Sequence, residues 1–152
     1  MKGILTFLTI VVLMGSIQLN AQTAADSVKG IIKQLFDGMK NSDAAMIRSA
    51  FADSAILQSI GRSKEGKIMI QNESIDDFAK AIAKLDKGAA DEQVVFESIK
   101  IDGALAMVWA PYKFYFNGKF SHCGVDSFQL VFVNGRWKIQ YLIDTRRKQP
   151  CE

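Results

Sequence analysis

Two side chains in the second half of the chain could carry the chemistry of a binding site or an active site. His122 is the only histidine of the 152 residues, and Asp126 follows in a segment rich in aromatic and aliphatic residues. An imidazole can act as a general acid or base near neutral pH. A carboxylate on an apolar face is costly unless it is paired or protonated. We therefore expect Asp126 to border a partner group or a cavity.

Each of these residues also has a purely structural interpretation. His122 could be a histidine at the rim of the core that hydrogen-bonds to backbone, and we favour this interpretation. Asp126 could accept a hydrogen bond from a tyrosine hydroxyl or from helix backbone. Four residues of a strand span ~13 Å, so the two side chains are not expected to touch. Both could still contact one ligand.

The two cysteines, Cys123 and Cys151, could form a disulfide or remain separate thiols. An oxidising compartment would favour the bond, and the predicted register places Cys123 opposite Arg146, close to the tail that carries Cys151. Neighbouring strand residues point to opposite faces. His122 and Cys123 are therefore poorly placed to share a zinc ion, and we expect no metal site.

Composition excludes several classes of protein. The chain is 49% hydrophobic, 10% aromatic and 23% charged, which is typical of one globular domain. The net charge of +3 is too small to suggest a nucleic-acid partner. The sequence has no serine-hydrolase elbow, phosphate-binding loop or dinucleotide fingerprint, so we expect no cofactor.

The N-terminus has the three-part pattern of a secretory signal peptide. Lys2 precedes an apolar run over residues 4–14, and small and polar residues follow as far as Ala21. The run is short for a membrane span. We expect cleavage of residues 1–21, with Ala24 or Ala25 as alternative sites and an uncleaved anchor as the other possibility. The prediction is a periplasmic or secreted protein without a membrane anchor, its domain at 24–147 and a C-terminal tail at 148–152.

The first half of the chain is predicted to be largely helical. Apolar residues recur every three or four positions from Val28 to Met39, which indicates one face of an amphipathic helix. Ser42 is the predicted cap of a second, short helix. Short strands are expected over 55–60 and 67–71, followed by a third helix from about Ser74 to Leu85.

The second half predicts a sheet. Asp102-Gly103, Asn117-Gly118 and Asn134-Gly135 are preferred hairpin turns. They predict antiparallel strands over about 93–101, 104–116, 119–133 and 136–145. Counting back from the turns assigns one face to the side chains Trp109, His122, Asp126, Phe128, Trp137 and Tyr141.

The same count assigns Asp144 and Arg146 to the opposite face, and makes Trp109 and Ile143 the cross-strand neighbours of Asp126. Gly124 falls opposite Pro111. A bulge is expected there and could exchange the faces beyond it.

The segments NSDAAMIRSAFADSAIL and NGRWKIQYLIDTRR resemble the nuclear transport factor 2-like superfamily. Within it the chain is most similar to SnoaL-like and lumazine-binding-like exported bacterial proteins. The resemblance spans residues 25–147. It implies an α+β cone in which three helices pack on a strongly bent antiparallel sheet and leave a cavity between them. It also implies frequent dimerisation through the convex sheet face.

The sequence favours an exported protein that binds a small, partly apolar molecule. Its predicted pocket residues are Trp109, His122, Asp126, Phe128, Trp137 and Tyr141. One alternative is an isomerase, dehydratase or cyclase that uses Asp126 or His122 as general base. Another is a non-catalytic structural or dimerisation module. We expect a homodimer, with no nucleic-acid partner.

Overall fold

The computed structural model describes residues 23–149 and 151. The predicted signal peptide lies outside the described residues, as do Pro150 and Glu152 of the predicted tail. In the described part, three helices pack on a seven-stranded sheet. The helices are α1 (23–40), α2 (Ala44–Ala50) and α3 (Ile75–Ile82). The strands are β1 (Phe51–Arg62), β2 (Ile68–Glu73), β3 (Ala90–Val94), β4 (Ser98–Asp102), β5 (Leu105–Phe116), β6 (Lys119–Val133) and β7 (Arg136–Thr145).

The sheet is curved and open, with strand order β2-β1-β7-β6-β5-β3, and β4 pairs with β5 beside β3. The predicted α+β class is confirmed. β1 runs parallel to β7, whereas the other neighbouring strands are antiparallel, so the sheet is mixed rather than wholly antiparallel. Among residues 23–149 and 151, no helix is long and apolar enough to span a membrane.

Local turn chemistry sets the ends of the long strands. Asn117 and Asn134 both have φ of +51°, and Gly103 has φ of +55°. Asparagine and glycine tolerate these left-handed conformations, which two-residue hairpin turns require. The predicted turns at Asn117-Gly118 and Asn134-Gly135 are therefore confirmed. The first hairpin also forms, but its turn is displaced by one residue to Gly103-Ala104, because Asp102 pairs with Leu105.

Helix α1 supplies much of the core. Its apolar stripe is buried against the concave face of the sheet, where the ring of Phe36 meets the ring of Phe128 edge-on at 6.3 Å. The predicted cap of α2 is wrong by one residue. Ser42 has φ of +55° and belongs to the turn, and the Asp43 carboxylate accepts the N–H of Met46 instead.

One extra residue in β6 changes the predicted faces of β5. Tyr115 is opposite Phe120, but Phe114 is opposite His122, so Ser121 has no partner across the ladder. Beyond this bulge every pairing is shifted by one residue. Trp109 consequently pairs with Ser127 and shares its face, whereas Asp126 pairs with Ala110.

A second extra residue changes the faces of β7. Leu130 is opposite Ile139, but Gln129 is opposite Tyr141, which leaves Gln140 without a partner in the ladder. Asp144 therefore lies opposite Asp126. The predicted placement of Tyr141 and Asp144 is wrong, because counting from the turn alone could not include this residue.

The bulge predicted at Pro111 and Gly124 is also wrong, since the β5–β6 ladder is regular there. Pro111, which has no N–H to donate, instead lies where β3 ends and β4 has not begun, and its carbonyl accepts the N–H of Val95. Gly124 allows its own backbone to lie close to the Thr145 carbonyl and the Tyr112 ring. A Cβ at this position would overlap the Thr145 carbonyl and lie 2.8 Å from the Tyr112 ring.

A disulfide joins Cys123 of β6 to Cys151 in the C-terminal tail, with 5.9 Å between their Cα atoms. Cys123 also exchanges two backbone hydrogen bonds with Arg147, each 2.9 Å long. The predicted partner, Arg146, is displaced by one residue because of the bulge at Gln140. The tail is thus tied to the strand that carries His122 and Asp126.

Candidate functional site

A cavity of about 270 Å³ lies between helices α1 and α3 and the concave face of the sheet. This volume is slightly below the usual range for ligand sites, which is about 300–1,000 Å³. A wider surface depression of about 600 Å³ lies beside the C-terminal tail. Its lining includes the exposed side chains of Lys113, Phe120 and Lys148. The smaller cavity is the better candidate because buried ionisable groups line it.

One side of the cavity is apolar. The helices contribute side chains from the stripe of α1 and from the inward face of α3, namely Leu35, Phe36, Met39, Phe78, Ala81 and Ile82. Ala81 is exposed and therefore marks the opening, whereas Leu35 is buried. Ser74 caps α3 by accepting the N–H of Asp77, which fixes where this helix begins over the cavity.

The opposite side is polar. Asp126 and Asp144 are cross-strand partners, and only 3% and 9% of their surfaces are exposed. Arg146 Nε donates to Asp144 Oδ2 at 2.8 Å, and its Nη2 donates to Ser59 Oγ at 2.9 Å. The Tyr112 hydroxyl lies 3.2 Å from Asp144 Oδ2 and 3.0 Å from the Thr145 carbonyl, to which it can donate.

Glu92 on β3 forms a carboxyl pair with Asp126. Burial raises the pKa of Glu92 from 4.5 to about 7, although a hydrogen bond from Asp126 partly opposes the rise. Burial and the neighbouring Glu92 carboxylate hold the pKa of Asp126 well above its ordinary value. Asp126 therefore holds its proton more tightly than an ordinary aspartic acid and donates to Glu92, as two close carboxyl groups share a proton.

Two carboxyl oxygens of this cluster are buried without a hydrogen-bond partner among the described residues. They are Asp126 Oδ2 and Asp144 Oδ1. A buried acceptor that lacks a donor costs roughly 1–3 kcal/mol. Both residues border the cavity, so a molecule inside it could supply the missing donors.

His122 also borders the cavity. Burial and the nearby Arg146 lower the pKa of its imidazole below 6.5, so the ring is neutral at neutral pH. Its Nδ1 lies 3.0 Å from Ser121 Oγ, and its ring packs against those of Tyr112 and Phe114 at 5.7 and 5.0 Å. The sequence favoured a hydrogen bond between His122 and backbone, whereas in the structure its ring nitrogen contacts the side-chain hydroxyl of Ser121.

The structure brings His122 and Asp126 to one cavity, but it places the predicted aromatic residues elsewhere. Phe128 and Trp137 are buried in the core and do not line the cavity. Trp109 is 42% exposed on the opposite face of the sheet. Tyr141 also lies on that face and donates to Gln58 Oε1 at 2.6 Å. The predicted sheet faces of Trp109 and Tyr141 are wrong because of the two bulges.

Sequence reasoning missed Glu92, Asp144 and Arg146. Glu92 had a usable signal, because it alternates with Ala90 and Val94 and must share their inward face. Asp144 and Arg146 had no such sequence signal, since their inward orientation depends on the extra residue at Gln140. Within the described ranges, no group of three His, Cys, Asp or Glu side chains could hold a metal ion.

Comparison with solved structures identifies the fold. A nuclear transport factor 2-like protein of unknown function from Shewanella baltica has a TM-score of 0.65 at 17% identity, with 84% of this chain and 96% of that chain covered. One from Silicibacter pomeroyi has a TM-score of 0.66 at 16% identity, with 84% and 98% covered. The predicted nuclear transport factor 2-like fold is therefore confirmed.

Sequence comparison identifies the family. None of the curated proteins matches the chain. A family model described as putative lumazine-binding matches residues 23–141, which include the three described helices and most of the sheet. The chain therefore belongs to the putative lumazine-binding family.

Proposed function

We propose that this protein is exported and binds a small, partly apolar molecule in the cavity between α1, α3 and the sheet. The observation that carries the proposal is the pair of buried, unpartnered oxygens, Asp126 Oδ2 and Asp144 Oδ1, on two residues that line the cavity together with an apolar helical wall. A ligand with an apolar body and a polar end matches both sides. The open volume of about 270 Å³ counts against a cavity filled by the protein's own side chains.

Fluorine NMR tests whether the cavity admits a small apolar body. Fluorobenzene should show saturable line broadening with the wild-type protein, because its ring fits against the helical wall. Ala81→Phe should abolish this effect, since Ala81 is exposed at the opening. Ala83→Phe, at the exposed C-cap of α3 and outside the cavity lining, is the matched control. Equal broadening with wild type and Ala81→Phe would contradict binding in this cavity.

Export is proposed from the signal-peptide pattern of residues 1–21 and is supported by the Cys123–Cys151 disulfide. Disulfides persist in oxidising compartments such as the periplasm or the extracellular medium. The intact mass of protein from the native cell should correspond to a chain that begins near residue 22 with both cysteines oxidised. A chain that retains Met1 and two thiols would contradict export.

A homodimer through the outer face of the sheet is also part of the proposal. Leu105, Met107 and Trp109 on β5 are 51%, 38% and 42% exposed in one stripe. An exposed apolar stripe on a sheet face is a common site of association. Trp109→Glu should convert a dimer to a monomer in light scattering, whereas Ile68→Glu on the edge strand β2 should not. A wild-type monomer would contradict the proposal.

The Glu92–Asp126 pair favours a second candidate, an isomerase, dehydratase or cyclase. Ionised Glu92 could take a proton from a substrate carbon, because its raised pKa suits a general base near neutral pH. Enolisable carbonyl compounds should then exchange hydrogen for deuterium in the presence of wild type but not of Glu92→Gln. Exchange that is equal in both proteins would contradict this candidate.

A further inference from the structure

We propose that the polar end of the ligand is a cationic nitrogen group, an ammonium or amidinium, whose N–H groups donate to Asp126 Oδ2 and Asp144 Oδ1. This inference rests on the proposed function of the cavity. It adds the chemical class of the ligand, which follows from what the polar wall offers and what it lacks.

The two oxygens lie on directly opposed residues. Asp126 and Asp144 pair across the antiparallel strands β6 and β7, so their side chains leave the same face of the sheet as neighbours. Such neighbours have Cβ atoms about 4.5–5.5 Å apart. A single head group with two N–H bonds can therefore reach both oxygens, as an amidinium does with carboxylates.

The remaining oxygens of the two carboxyl groups are already engaged. Asp144 Oδ2 accepts from Arg146 Nε at 2.8 Å and lies 3.2 Å from the Tyr112 hydroxyl. Asp126 shares a hydrogen bond with Glu92, while its Oδ2 has no partner among the described residues. The site therefore presents acceptors, and its unmet requirement is for donors.

The charge around the cavity points the same way. Two further carboxyl groups line the cavity beside the Asp126–Asp144 pair, those of Glu73 on β2 and Glu92 on β3. Arg146 also borders the cavity, but its guanidinium is held by Asp144 and Ser59. An anionic ligand would meet these carboxylates, whereas a cation would offset them.

The apolar wall limits the rest of the ligand. Phe36, Phe78 and Ile82 line the helical side, and the whole cavity measures about 270 Å³. A single ring with a nitrogen head group suits this space, and a nucleotide or a steroid exceeds it. The ligand class is thus a small aromatic or alicyclic nitrogen base.

Three probes of nearly equal shape test the charge of the head group. They are para-fluorobenzamidine, a cation with N–H donors; para-fluorobenzamide, which is neutral; and para-fluorobenzoate, an anion. Fluorine NMR titrations should give an affinity for the amidine at least about tenfold above that for the amide, as charge-assisted bonds are stronger. The benzoate should not show saturation. Equal affinities, or preference for the benzoate, would overturn the inference.

Two substitutions at Asp126 test the proposed contact. Asp126→Asn preserves a donor towards Glu92 and an acceptor towards the ligand, so amidine affinity should stay within about threefold of wild type. Asp126→Leu removes the acceptor at similar volume and should weaken binding at least about tenfold. Asp102→Asn, an exposed residue in the β4–β5 hairpin, is the matched control. Unchanged affinity in a folded Asp126→Leu protein would overturn the contact.

Fluorobenzene separates the two proposals. If it binds and Ala81→Phe abolishes its binding, but the amidine has no advantage over the benzoate, the cavity is a ligand site and the nitrogen-base inference fails. If neither fluorobenzene nor any of the three charged and neutral probes binds, both proposals fail.

Discussion

Replacing Glu92 by glutamine should change how the stability of the protein depends on pH. Burial raises the pKa of Glu92 from 4.5 to about 7 in the folded state. Between these values the folded protein keeps a proton that the unfolded chain releases. The free energy of unfolding of the wild type should therefore fall as pH rises through this interval and level off above pH 7.

The size of the effect follows from the two pKa values. Each unit of difference corresponds to about 1.4 kcal/mol, so a rise from 4.5 to about 7 corresponds to a loss of about 3 kcal/mol. Glutamine cannot ionise and retains an acceptor for Asp126. The stability of Glu92→Gln relative to wild type should therefore increase by about 3 kcal/mol between the acidic and the alkaline end of the interval.

Urea unfolding at a series of pH values measures this difference directly. Glu97→Gln is the matched control, because Glu97 is exposed between β3 and β4. The free energy of unfolding of Glu97→Gln should change with pH in parallel with that of the wild type. If the free energies of unfolding of Glu92→Gln and wild type differed by a constant amount across the pH series, Glu92 would ionise normally. That result would contradict a buried Glu92–Asp126 carboxyl pair.

Three further perturbations have defined outcomes. Gly124→Ala should lower the free energy of unfolding by about 2–3 kcal/mol in urea titrations, because its Cβ would overlap the Thr145 carbonyl, and an unchanged midpoint would refute that close approach. Replacing Cys123 and Cys151 by serine should cost roughly 3–4 kcal/mol in the same assay, since the disulfide closes a loop with a sequence separation of 28, and no loss would refute the cross-link. The affinity for para-fluorobenzamidine should rise in NMR titrations as pH increases through about 7, where Glu92 ionises, and Glu92→Gln should remove this dependence.

The elements of this fold could be predicted from the sequence because their signals are local. The repeat from Val28 to Met39 is a property of neighbouring turns of one helix, and α1 buries that stripe. The Asn-Gly turns require left-handed backbone at the asparagine, and Asn117 and Asn134 have it. These signals need no knowledge of the rest of the chain.

The face of each strand could not be predicted as well, because one inserted residue reverses it. Ser121 and Gln140 carry no sequence feature that marks a bulge, and their positions depend on how β5, β6 and β7 pack together. Trp109 was therefore assigned to the wrong face, and Asp144 was left out of the site. His122 and Asp126 kept a common face because no bulge separates them.

The polar cluster itself has a partial sequence signal. A carboxylate among strand residues that face the core, such as Asp126 or Glu92, is costly unless something compensates for its burial. That argument identified Asp126, and applied to the alternation of β3 it would have identified Glu92 as well. It could not reveal that the two share a proton, since this depends on pairing across three strands.

Nitrogen–proton correlation NMR during a titration with para-fluorobenzamidine tests the central claim most directly. If the cavity binds a small molecule through Asp126 and Asp144, backbone amide shifts should concentrate in β6, β7, α1 and α3 around the cavity, and Ala81→Phe should suppress them. Shifts confined to the outer face around Leu105 and Trp109, or the same shifts in Ala81→Phe, would contradict the claim.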